Sequence, residues 1–478
     1  MEQVAIAGPR RTAAGARPAA RSALARVATG SLAVKAKGLN PLVAVLLFAL
    51  FVPWLFHVGA LIISPYRFLL LLTAIPCLWI WVSGKAGPAR LPDFAVLAYA
   101  IWGAISLGVN HGGDVGFQSG GVQGMETVGS YFLARTLIRT PDQFRAMCAV
   151  LATAILLLLP FALIETVTGQ NILLRTYSSV MPSINEFRMP GRLGLERVQS
   201  VLDHPILFGV CTGSALALSF AVLGYQEPGW RRWGIALLVA LTSFTSLSAG
   251  PMSGLVAQML LLLWGWALRP IKARWTLLLV LIGLALLAIE LFAKRPLPNV
   301  LFSTIALDGE SAYYRVLIWN FGSQSALNHP WFGVGFGMWD HPSWMTQSID
   351  MFWLYPAIVY GLPASAMMFI AFLGSTIGVG LKRNLPPREY SYRMAYLICM
   401  AGFFVVGWTV HFWNATYVLF MFLLGSGLWV MDAPEATGIE RQEPGGEKRA
   451  LREPRPARPA LARAGRDRPF PERNPRRA

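Results

Sequence analysis

Charged residues are scarce in this chain of 478 residues, at 14% of the total, whereas an average soluble protein contains about 25%. Hydrophobic residues make up 55%, and the mean hydropathy is +0.50. This composition excludes a soluble globular protein, a collagen-like chain and a fully disordered chain. It predicts an all-α, polytopic integral membrane protein whose helices cross a lipid bilayer.

Cysteine is also rare. The four cysteines, Cys77, Cys148, Cys211 and Cys399, each lie inside an apolar run, and none belongs to a CxxC pair. This pattern excludes a disulfide scaffold, and no histidine lies at metal-ligand spacing from them. We therefore expect the cysteines to pack as small hydrophobic residues, and we expect neither a metal nor another cofactor.

The sequence lacks a P-loop, an HExxH helix, a GxSxG elbow and a GxGxxG turn within a Rossmann unit. Residues 333–337 read Gly-Val-Gly-Phe-Gly, but no strand precedes them, so they predict a tight turn near a helix end. A net charge of +17 is compatible with nucleic-acid binding. The basic excess lies in the tails and short loops, however, which indicates topology signals and no nucleic-acid partner.

Long apolar runs fill the chain between two polar tails. A weaker run at 118–138 contains Glu126 and Arg135, and counting it gives twelve predicted transmembrane helices. The other eleven runs cover about residues 41–63, 66–83, 93–109, 143–165, 204–224, 232–248, 251–268, 275–293, 351–381, 391–410 and 412–431.

The distribution of Lys and Arg supports this count. If the N-terminus is cytoplasmic, the short outer loops contain one cation, Arg67, and all other short-loop cations are on the inside. Omitting the run at 118–138 inverts every later loop and destroys the pattern. We therefore expect both termini in the cytoplasm. The inner-loop cations are Lys85, Arg90, Arg139, Arg145, Arg231, Arg232, Arg269, Lys272, Arg274, Lys382, Arg383, Arg388 and Arg393.

This pattern divides the chain into three parts, two polar tails and a transmembrane domain between them. Residues 1–40 are basic and almost free of acid, which favours a disordered cytoplasmic tail over a transit peptide. Residues 41–431 form the transmembrane domain, and the Pro- and Arg-rich residues 432–478 predict a second disordered cytoplasmic tail. Two outer loops, 166–203 and 294–350, are long enough to predict a functional role.

In the first long loop, three of the arginines, Arg188, Arg192 and Arg197, come shortly before a membrane helix that starts near His204 and Pro205. Guanidinium groups bind phosphate oxygens through paired hydrogen bonds, so these residues are candidates for a phosphate site. The alternative is interfacial snorkelling or ion pairing with the nearby carboxylates Glu186, Glu196 and Asp203.

The second long loop predicts an amphipathic helix over 311–328, lying at the outer surface, with Arg315 as its only cation. Its aromatic residues are typical of a membrane-interface belt, and they are equally suited to stacking on sugar rings. Asp350 opens the next membrane helix, either as a helix cap or as a functional carboxylate. The small residues at 246–254 indicate a close-packed hinge between two helices.

Taken in order, these segments resemble the O-antigen ligase/polymerase family of bacterial envelope proteins. The resemblance covers about residues 40–430 and depends mainly on 190–365. The matching positions are Arg197 before His204 and Pro205, the hinge at 246–254, Arg315 before Ile318 and Trp319, Pro330 with the glycines at 333–337, and Asp350 before Tyr-Gly-Leu-Pro at 360–363.

The resemblance implies a metal-independent glycosyltransferase of the inner membrane, acting on the periplasmic face. The donor would be a glycan on undecaprenyl pyrophosphate, and the acceptor a sugar hydroxyl of another lipid-linked repeat unit. Arg197 and Arg315 would stabilise the leaving pyrophosphate, and Asp350 would be the general base. The expected substrate-binding residues are Arg188, Arg192, His204, Glu310, Trp319 and His341, of which Glu310 and His341 are also the next candidates for the base.

One departure from the family concerns the product. Ligases that join O-antigen to the lipid A core have a His-Asn pair where this chain has Asp350 and Met351. The difference favours a polymerase of exopolysaccharide or O-antigen, with the ligase as the alternative. A transporter or flippase of lipid-linked oligosaccharide is a second alternative, and a non-enzymatic scaffold among other polysaccharide assembly proteins is a third.

Overall fold

Helices dominate the computed structural model, which describes residues 38–59, 61–305 and 309–435. It is about 70% helical, and the sheet in these ranges is an antiparallel pair of short strands, β1 (Phe56–Val58) and β2 (Leu61–Ile63). The all-α prediction is therefore confirmed for the described part of the chain. The predicted disordered tails at 1–40 and 432–478 lie almost wholly outside the described residues.

The helices follow one another along the chain with short connections, apart from two longer segments before α8 and before α15. Their bounds are α1 (Pro41–Ala49), α2 (Pro65–Val82), α3 (Leu91–His111), α4 (Gly113–Gly124), a π-helical turn (Met125–Gly129), α5 (Ser130–Leu137), α6 (Pro141–Thr168), α7 (Ile172–Val180), α8 (Pro205–Gly213), α9 (Leu216–Leu218), a second π-helical turn (Ser219–Leu223), α10 (Gly229–Phe244), α11 (Ala249–Ala267), α12 (Arg274–Phe292), α13 (Leu297–Ile305), α14 (Gly309–Asn328), α15 (Tyr355–Val359), α16 (Leu362–Leu381), α17 (Pro387–Gly407), α18 (Asn414–Ser426) and α19 (Trp429–Asp432).

Within the described ranges, nine helices are long and apolar enough to cross a membrane. One of them, α12, buries none of its residues, and Leu279 and Phe292 are 70% and 83% exposed. A helix that exposes apolar side chains on every face needs lipid as its solvent. The nine are Pro65–Val82, Leu91–His111, Pro141–Thr168, Pro205–Leu223, Ala249–Ala267, Arg274–Phe292, Leu362–Leu381, Pro387–Gly407 and Asn414–Asp432.

The first apolar run differs from its prediction. A membrane helix was expected over 41–63, but the helix ends at Ala49 and the β1–β2 hairpin follows. Pro53 interrupts the run, and Gly59 adopts a positive φ of 61° between the two strands. A proline and a left-handed glycine redirect the backbone although every neighbouring residue is apolar.

The weak run at 118–138 is helical throughout, as α4, the first π-helical turn and α5. Arg135 is buried in it because Nη1 and Nη2 donate to the carbonyls of Ala86 (2.7 Å) and Pro88 (2.9 Å). Its Nε lies 3.4 Å from Asp93 Oδ1. These partners satisfy a charge that would otherwise be costly inside the protein.

The predicted helix over 351–381 is broken into α15 and α16 at Gly361. This glycine has a φ of +90°, and a Cβ there would lie 2.1 Å from the Trp331 carbonyl oxygen. The turn at 333–337 packs on the break, where Val334 and Gly335 donate to the carbonyls of Ile358 (2.9 Å) and Val359 (3.0 Å). The prediction of a tight turn at 333–337 is thereby confirmed, and it stabilises the end of α15.

The most central helix is α18, in which every residue after Asn414 is buried. It packs against α5 and against an aromatic cluster that includes Phe352, Trp353 and Phe372. The four cysteines are buried and unbonded, as expected. Around this core, the ends of α2, α6, α8, α11 and α17 meet the two long segments at 169–204 and 329–354, and they position the candidate site.

Candidate functional site

The candidate site forms around residues 408–413, which join α17 to α18 and are called here the 408–413 connection. Arg315, on α14, is buried and donates to the Thr409 carbonyl oxygen from Nε (3.1 Å) and Nη2 (2.8 Å). Its Nη1 donates to the Ser311 carbonyl at 2.8 Å. The backbone N–H of Phe352, two residues after Asp350, donates to Val410 at 3.1 Å. Both ends of the 309–354 region therefore contact the connection.

Arg197 reaches the same place from the other long segment. Its Nη2 donates to Ser248 Oγ at 2.7 Å, in the predicted hinge between α10 and α11. The hinge in turn packs against the 408–413 connection, because a Cβ on Gly250 would lie 2.5 Å from Val410 Cγ2. Arg197 and Arg315 are thus fixed on two backbone segments that touch each other.

A carboxylate on α6 sets the position of Arg197. Glu165 accepts hydrogen bonds from the backbone N–H of Gln199 (2.8 Å) and Ser200 (3.1 Å). Ser200 has a positive φ of 54°, which turns the chain back toward α8. The α6 carboxylate therefore holds a tight backbone bend just after Arg197, which fixes where the segment enters the site.

His204 connects the two long segments electrostatically. Its pKa is lowered to about 4, chiefly by burial and also by the positive charge of Arg197, while Asp350 acts in the opposite direction. Its Nδ1 accepts a hydrogen bond from the Ile206 N–H at 3.1 Å and caps α8. The imidazole is therefore neutral at physiological pH and carries its proton on Nε2.

Asp350 is half-buried, and its Oδ1 accepts a hydrogen bond from Ser348 Oγ at 2.7 Å. It does not cap a helix, since the residue that precedes α15 is Leu354. The alternative reading of Asp350 as a helix cap is therefore wrong. The charge of the Asp350 carboxylate acts to raise the pKa of His204, so this carboxylate belongs to the electrostatic environment of the first long segment.

The other arginines of the first segment have different surroundings. Arg188 pairs with Glu186 at 3.1 Å and is mostly exposed, as the ion-pairing alternative predicted. Arg192 Nη1 lies 3.5 Å from the Leu247 carbonyl. Burial and the charge of Arg192 lower the pKa of Arg197 to about 10, so the guanidinium stays charged at neutral pH. Among the described residues, no carboxylate lies within ion-pairing distance of Arg197.

Three further predicted residues lie on the second segment, and one of them, Trp319, contacts the 408–413 connection through Trp408. Glu310 is exposed near the start of α14. Trp319 packs against Phe302 and Trp408, with ring centroids 5.8 and 6.0 Å apart. His341 packs on Trp339 at 4.5 Å. Within the described residues, none of the three shares a hydrogen bond, ion pair or ring contact with Arg197, His204 or Asp350.

Two cavities open beside these residues. The first, the arginine cavity, has a volume of about 330 Å³. Its lining includes Glu165, Arg175, Glu186, Arg188, Glu196 and Arg197. The second, the His411 cavity, has a volume of about 350 Å³ and lies between α2, α3, α4 and the 408–413 connection. Its lining includes Arg67, Gln123, Glu126, Tyr355, His411 and Asn414.

Neither the 408–413 connection nor the His411 cavity was predicted from the sequence. Asn414 has a positive φ of 49°, and its side chain joins Asp203 Oδ1 (3.1 Å) to Arg67 Nη2 (2.9 Å). One signal was present: His411, Trp413 and Asn414 interrupt an otherwise apolar stretch at the boundary of two predicted helices. Polar residues at such a boundary are candidates for a site when several segments converge there.

In the described part of the chain, no group of three or more His, Cys, Asp or Glu side chains is arranged to hold a metal ion. Arginine, imidazole and carboxylate groups are instead what the site offers for binding anions and for moving a proton. A comparison with known proteins adds no family to this picture, because neither a family model nor a curated protein matches the chain.

Proposed function

We propose that this protein is a membrane glycosyltransferase that polymerises a bacterial surface polysaccharide, either exopolysaccharide or O-antigen. It transfers a glycan from undecaprenyl pyrophosphate to a sugar hydroxyl of a second lipid-linked repeat unit. The observation that carries the proposal is the convergence of Arg197, Arg315, His204 and Asp350 around the 408–413 connection. These residues come from two segments far apart in sequence, and they supply an anion site beside a carboxylate.

The two arginines suit the donor half of the reaction. As the bond between the anomeric carbon and the pyrophosphate oxygen breaks, the electron pair and negative charge pass to the leaving pyrophosphate. Fixed guanidinium groups stabilise that charge without reorganising. Arg197 has no carboxylate partner among the described residues, so its charge is available to a ligand, and Arg188 and Arg192 lie on the same segment as support.

Asp350 suits the acceptor half. The sugar hydroxyl oxygen forms the new bond to the anomeric carbon, and its proton passes to a carboxylate within hydrogen-bonding reach. The half-buried carboxylate of Asp350 can take that proton. His204, neutral and protonated on Nε2, can donate a hydrogen bond to a substrate oxygen, and its position depends on the α8 cap.

The proposal includes the membrane topology. The chain crosses the bacterial inner membrane twelve times with both termini cytoplasmic, and the outer loops 166–203 and 294–350 face the periplasm. Three of these crossings are shorter or more polar than the nine apolar helices: the one that contains α1, the one at 118–138 and α10. The partners are the lipid bilayer, the undecaprenyl-pyrophosphate-linked glycan and other polysaccharide assembly proteins.

The direct test is gel analysis of surface polysaccharide and lipid-linked intermediates in a strain that lacks this protein. Polymerase activity predicts that single repeat units accumulate on the lipid carrier and that long polymer is absent. Complementation with wild-type protein restores the polymer, whereas Arg197→Ala, Arg315→Ala and Asp350→Asn do not at equal protein level. Arg231→Ala, an exposed arginine far along the chain from the site, is the matched control and restores the polymer fully.

Other outcomes identify the alternatives. Polymer of normal length that stays on the carrier identifies a ligase. An unchanged glycan profile contradicts both enzyme assignments and directs attention to transport of lipid-linked oligosaccharide. Normal polymer from the Arg315→Ala or Asp350→Asn protein contradicts the role given to that residue, while the deletion phenotype still tests the overall reaction.

A further inference from the structure

The His411 cavity is polar, is lined by helices and by the 408–413 connection, and has no part in the donor chemistry described above. Its volume of about 350 Å³ is at the small end of the range for small-molecule sites, about 300–1,000 Å³. Phe352 lines it and follows Asp350 by two residues. The cavity is therefore lined by the segment that carries the candidate base.

The lining of this cavity is electrically neutral. Its only cation, Arg67, has its Nε 2.8 Å from Glu126 Oε1, the only carboxylate of the lining. The remaining nitrogens of Arg67 donate to the Ile62 carbonyl (3.1 Å) and to Asn414 Oδ1 (2.9 Å). Because Glu126 balances the charge of this guanidinium, the cavity offers no net charge to a phosphate or another anion.

Some polar atoms of the residues that line the cavity nevertheless have no hydrogen-bond partner among the described residues. Among the described residues, Glu126 Oε1 accepts from Arg67 and Tyr66, while Oε2 has no donor. The Nδ1 atom of His411 is buried and has no partner in the same part of the chain. Burial lowers the pKa of His411 to about 3, so its neutral ring can both donate and accept. Polar groups left unsatisfied in this way call for a ligand or ordered water.

Aromatic rings form the other part of the wall. The His411 ring stacks on Tyr355 with centroids 3.9 Å apart and on Trp413 at 5.9 Å. Glu126 opposes them from the first π-helical turn, a local distortion that is frequent at functional sites. Aromatic faces combined with carboxylate, amide and imidazole groups match a sugar ring, which has apolar faces and hydroxyl edges.

We propose that the His411 cavity binds one uncharged sugar ring, the terminal unit of the acceptor glycan. The identification of this sugar as the acceptor rests on the proposed function. The binding of a neutral sugar does not, because it depends only on the lining of the cavity. The hydroxyls of the ring bond to Glu126 Oε2 and to His411, and the ring lies beside the segment that carries Asp350.

The test measures binding of methyl glycosides of glucose, galactose, mannose and N-acetylglucosamine to the purified full-length protein in detergent, by thermal shift. Glucuronic acid and inorganic pyrophosphate are the charged probes. We expect at least one neutral glycoside to raise the melting temperature. His411→Phe preserves the ring stack but removes both nitrogens, and we expect it to weaken binding about tenfold, the effect of losing one good hydrogen bond.

Two more variants complete the design. Gln118→Trp places a bulky ring at the exposed edge of the cavity without changing a buried contact, so it blocks binding even if His411→Phe does not fold. Tyr390→Phe, which removes one hydroxyl near Arg274 outside the cavity, is the control and binds normally. The proposal is overturned if no neutral glycoside binds, if only a charged probe binds, or if Gln118→Trp binds as the wild type does.

This result is separable from the proposed function. Asp350→Asn should abolish polymer formation and retain glycoside binding, because Asp350 does not line the cavity. If the deletion strain accumulates single repeat units but Gln118→Trp restores polymer at a normal acceptor KM, the acceptor cavity is wrong and the enzyme assignment stands. If glycosides bind but the deletion strain has a normal glycan profile, the proposal that the His411 cavity binds a sugar is kept. The proposed glycosyltransferase function is then rejected.

Discussion

Arg315 is a buried cation whose Nε and Nη2 both donate to the Thr409 carbonyl oxygen. Lysine cannot reproduce this fork with a single ammonium group. We expect Arg315→Lys to lower the free energy of unfolding by about 1.5–3 kcal/mol, the range for hydrogen bonds made by charged groups. The measurement is the thermal or denaturant midpoint of the purified protein in detergent.

Arg188→Lys is the matched comparison for that substitution. Arg188 is 69% exposed and pairs with Glu186 at the surface, where an ion pair contributes about 0–1 kcal/mol. We expect a midpoint close to that of the wild type. Equal losses in the two variants would contradict a structural role for the contact between Arg315 and the 408–413 connection.

Two histidines predict how stability depends on pH. Burial lowers the folded-state pKa of His204 to about 4 and that of His411 to about 3, from an ordinary value of 6.5. At pH values between the folded-state pKa and 6.5, these histidines bind more protons in the unfolded chain than in the folded one. The contribution of the two histidines to stability is therefore fully present above about pH 6.5 and is lost as the pH drops toward 4. Melting temperatures measured between pH 7.5 and 4.5 should decline over this window.

His204→Asn tests the origin of that decline. Asparagine is a strong N-cap, so it keeps a side-chain acceptor for α8 but does not titrate. We expect its melting temperature to vary less with pH than that of the wild type. Asp203, whose pKa is raised by burial, acts in the opposite direction at pH values above its ordinary pKa of 3.8, because its folded form gains a proton there while its unfolded form is still ionised. An undiminished pH dependence in His204→Asn would exclude this histidine as a source.

At the scale of elements, the break between α15 and α16 depends on Gly361. Its φ of +90° is unfavourable for any side chain, and a Cβ would lie 2.1 Å from the Trp331 carbonyl oxygen. We expect Gly361→Ala to cost about 1–3 kcal/mol in backbone strain alone, with the clash adding to that loss. Reduced yield of folded protein and a lower melting temperature are the measurements.

Gly283→Ala, in the middle of α12, is the control for that substitution. A Cβ at this position meets no atom within 4 Å, and alanine favours the helical backbone over glycine. We expect the melting temperature to stay the same or to rise slightly. A comparable loss in both variants would mean that adding a methyl group, and not the backbone conformation at 361, causes the damage.

The elements also explain what could be predicted from sequence. Length and hydropathy located the long helices, such as α6 and α17, because a membrane helix needs only a continuous apolar run. The hairpin at 56–63 and the break at Gly361 were missed, because the runs that contain them are almost wholly apolar. In both places single glycines change the backbone direction, and a hydropathy average does not detect them.

The candidate site was predicted only in part for a similar reason. Arg197, Arg315 and Asp350 stood out as charges in long outer loops, but their common anchor, the 408–413 connection, is mostly apolar. The atoms that accept these hydrogen bonds are the backbone carbonyl oxygens of Thr409 and Val410. Every residue has such an oxygen, so the residue type does not indicate which one is used. Ion pairs such as Arg67 with Glu126 join helices far apart in sequence, and nothing in their local spacing indicates the pairing.

At the scale of the whole molecule, the proposed topology predicts which positions are accessible from each side of the membrane. Single cysteines are introduced at Gln347, in the second long loop, and at Arg383, between α16 and α17. We expect a membrane-impermeant maleimide to label Gln347→Cys in intact spheroplasts and Arg383→Cys only after permeabilisation. Both positions are exposed, so the reagent can reach them.

The wild-type chain is the background control, because its four cysteines are buried and should stay unlabelled in the folded protein. Labelling of Arg383→Cys from outside, with Gln347→Cys protected, would reverse the orientation. Labelling of both variants from outside would place Gln347 and Arg383 on the same side of the membrane. It would contradict the single crossing that the proposed topology has between them.

The anchoring of the 408–413 connection has a consequence for how this protein can diverge. Arg315 and the N–H of Phe352 bind the carbonyl oxygens of Thr409 and Val410, and every amino acid has a carbonyl. The side chains at 409 and 410 can therefore change with little effect on these bonds, whereas inserting or deleting one residue moves each carbonyl away from its donor. Natural or engineered variants should tolerate substitutions in the 408–413 connection far better than insertions or deletions.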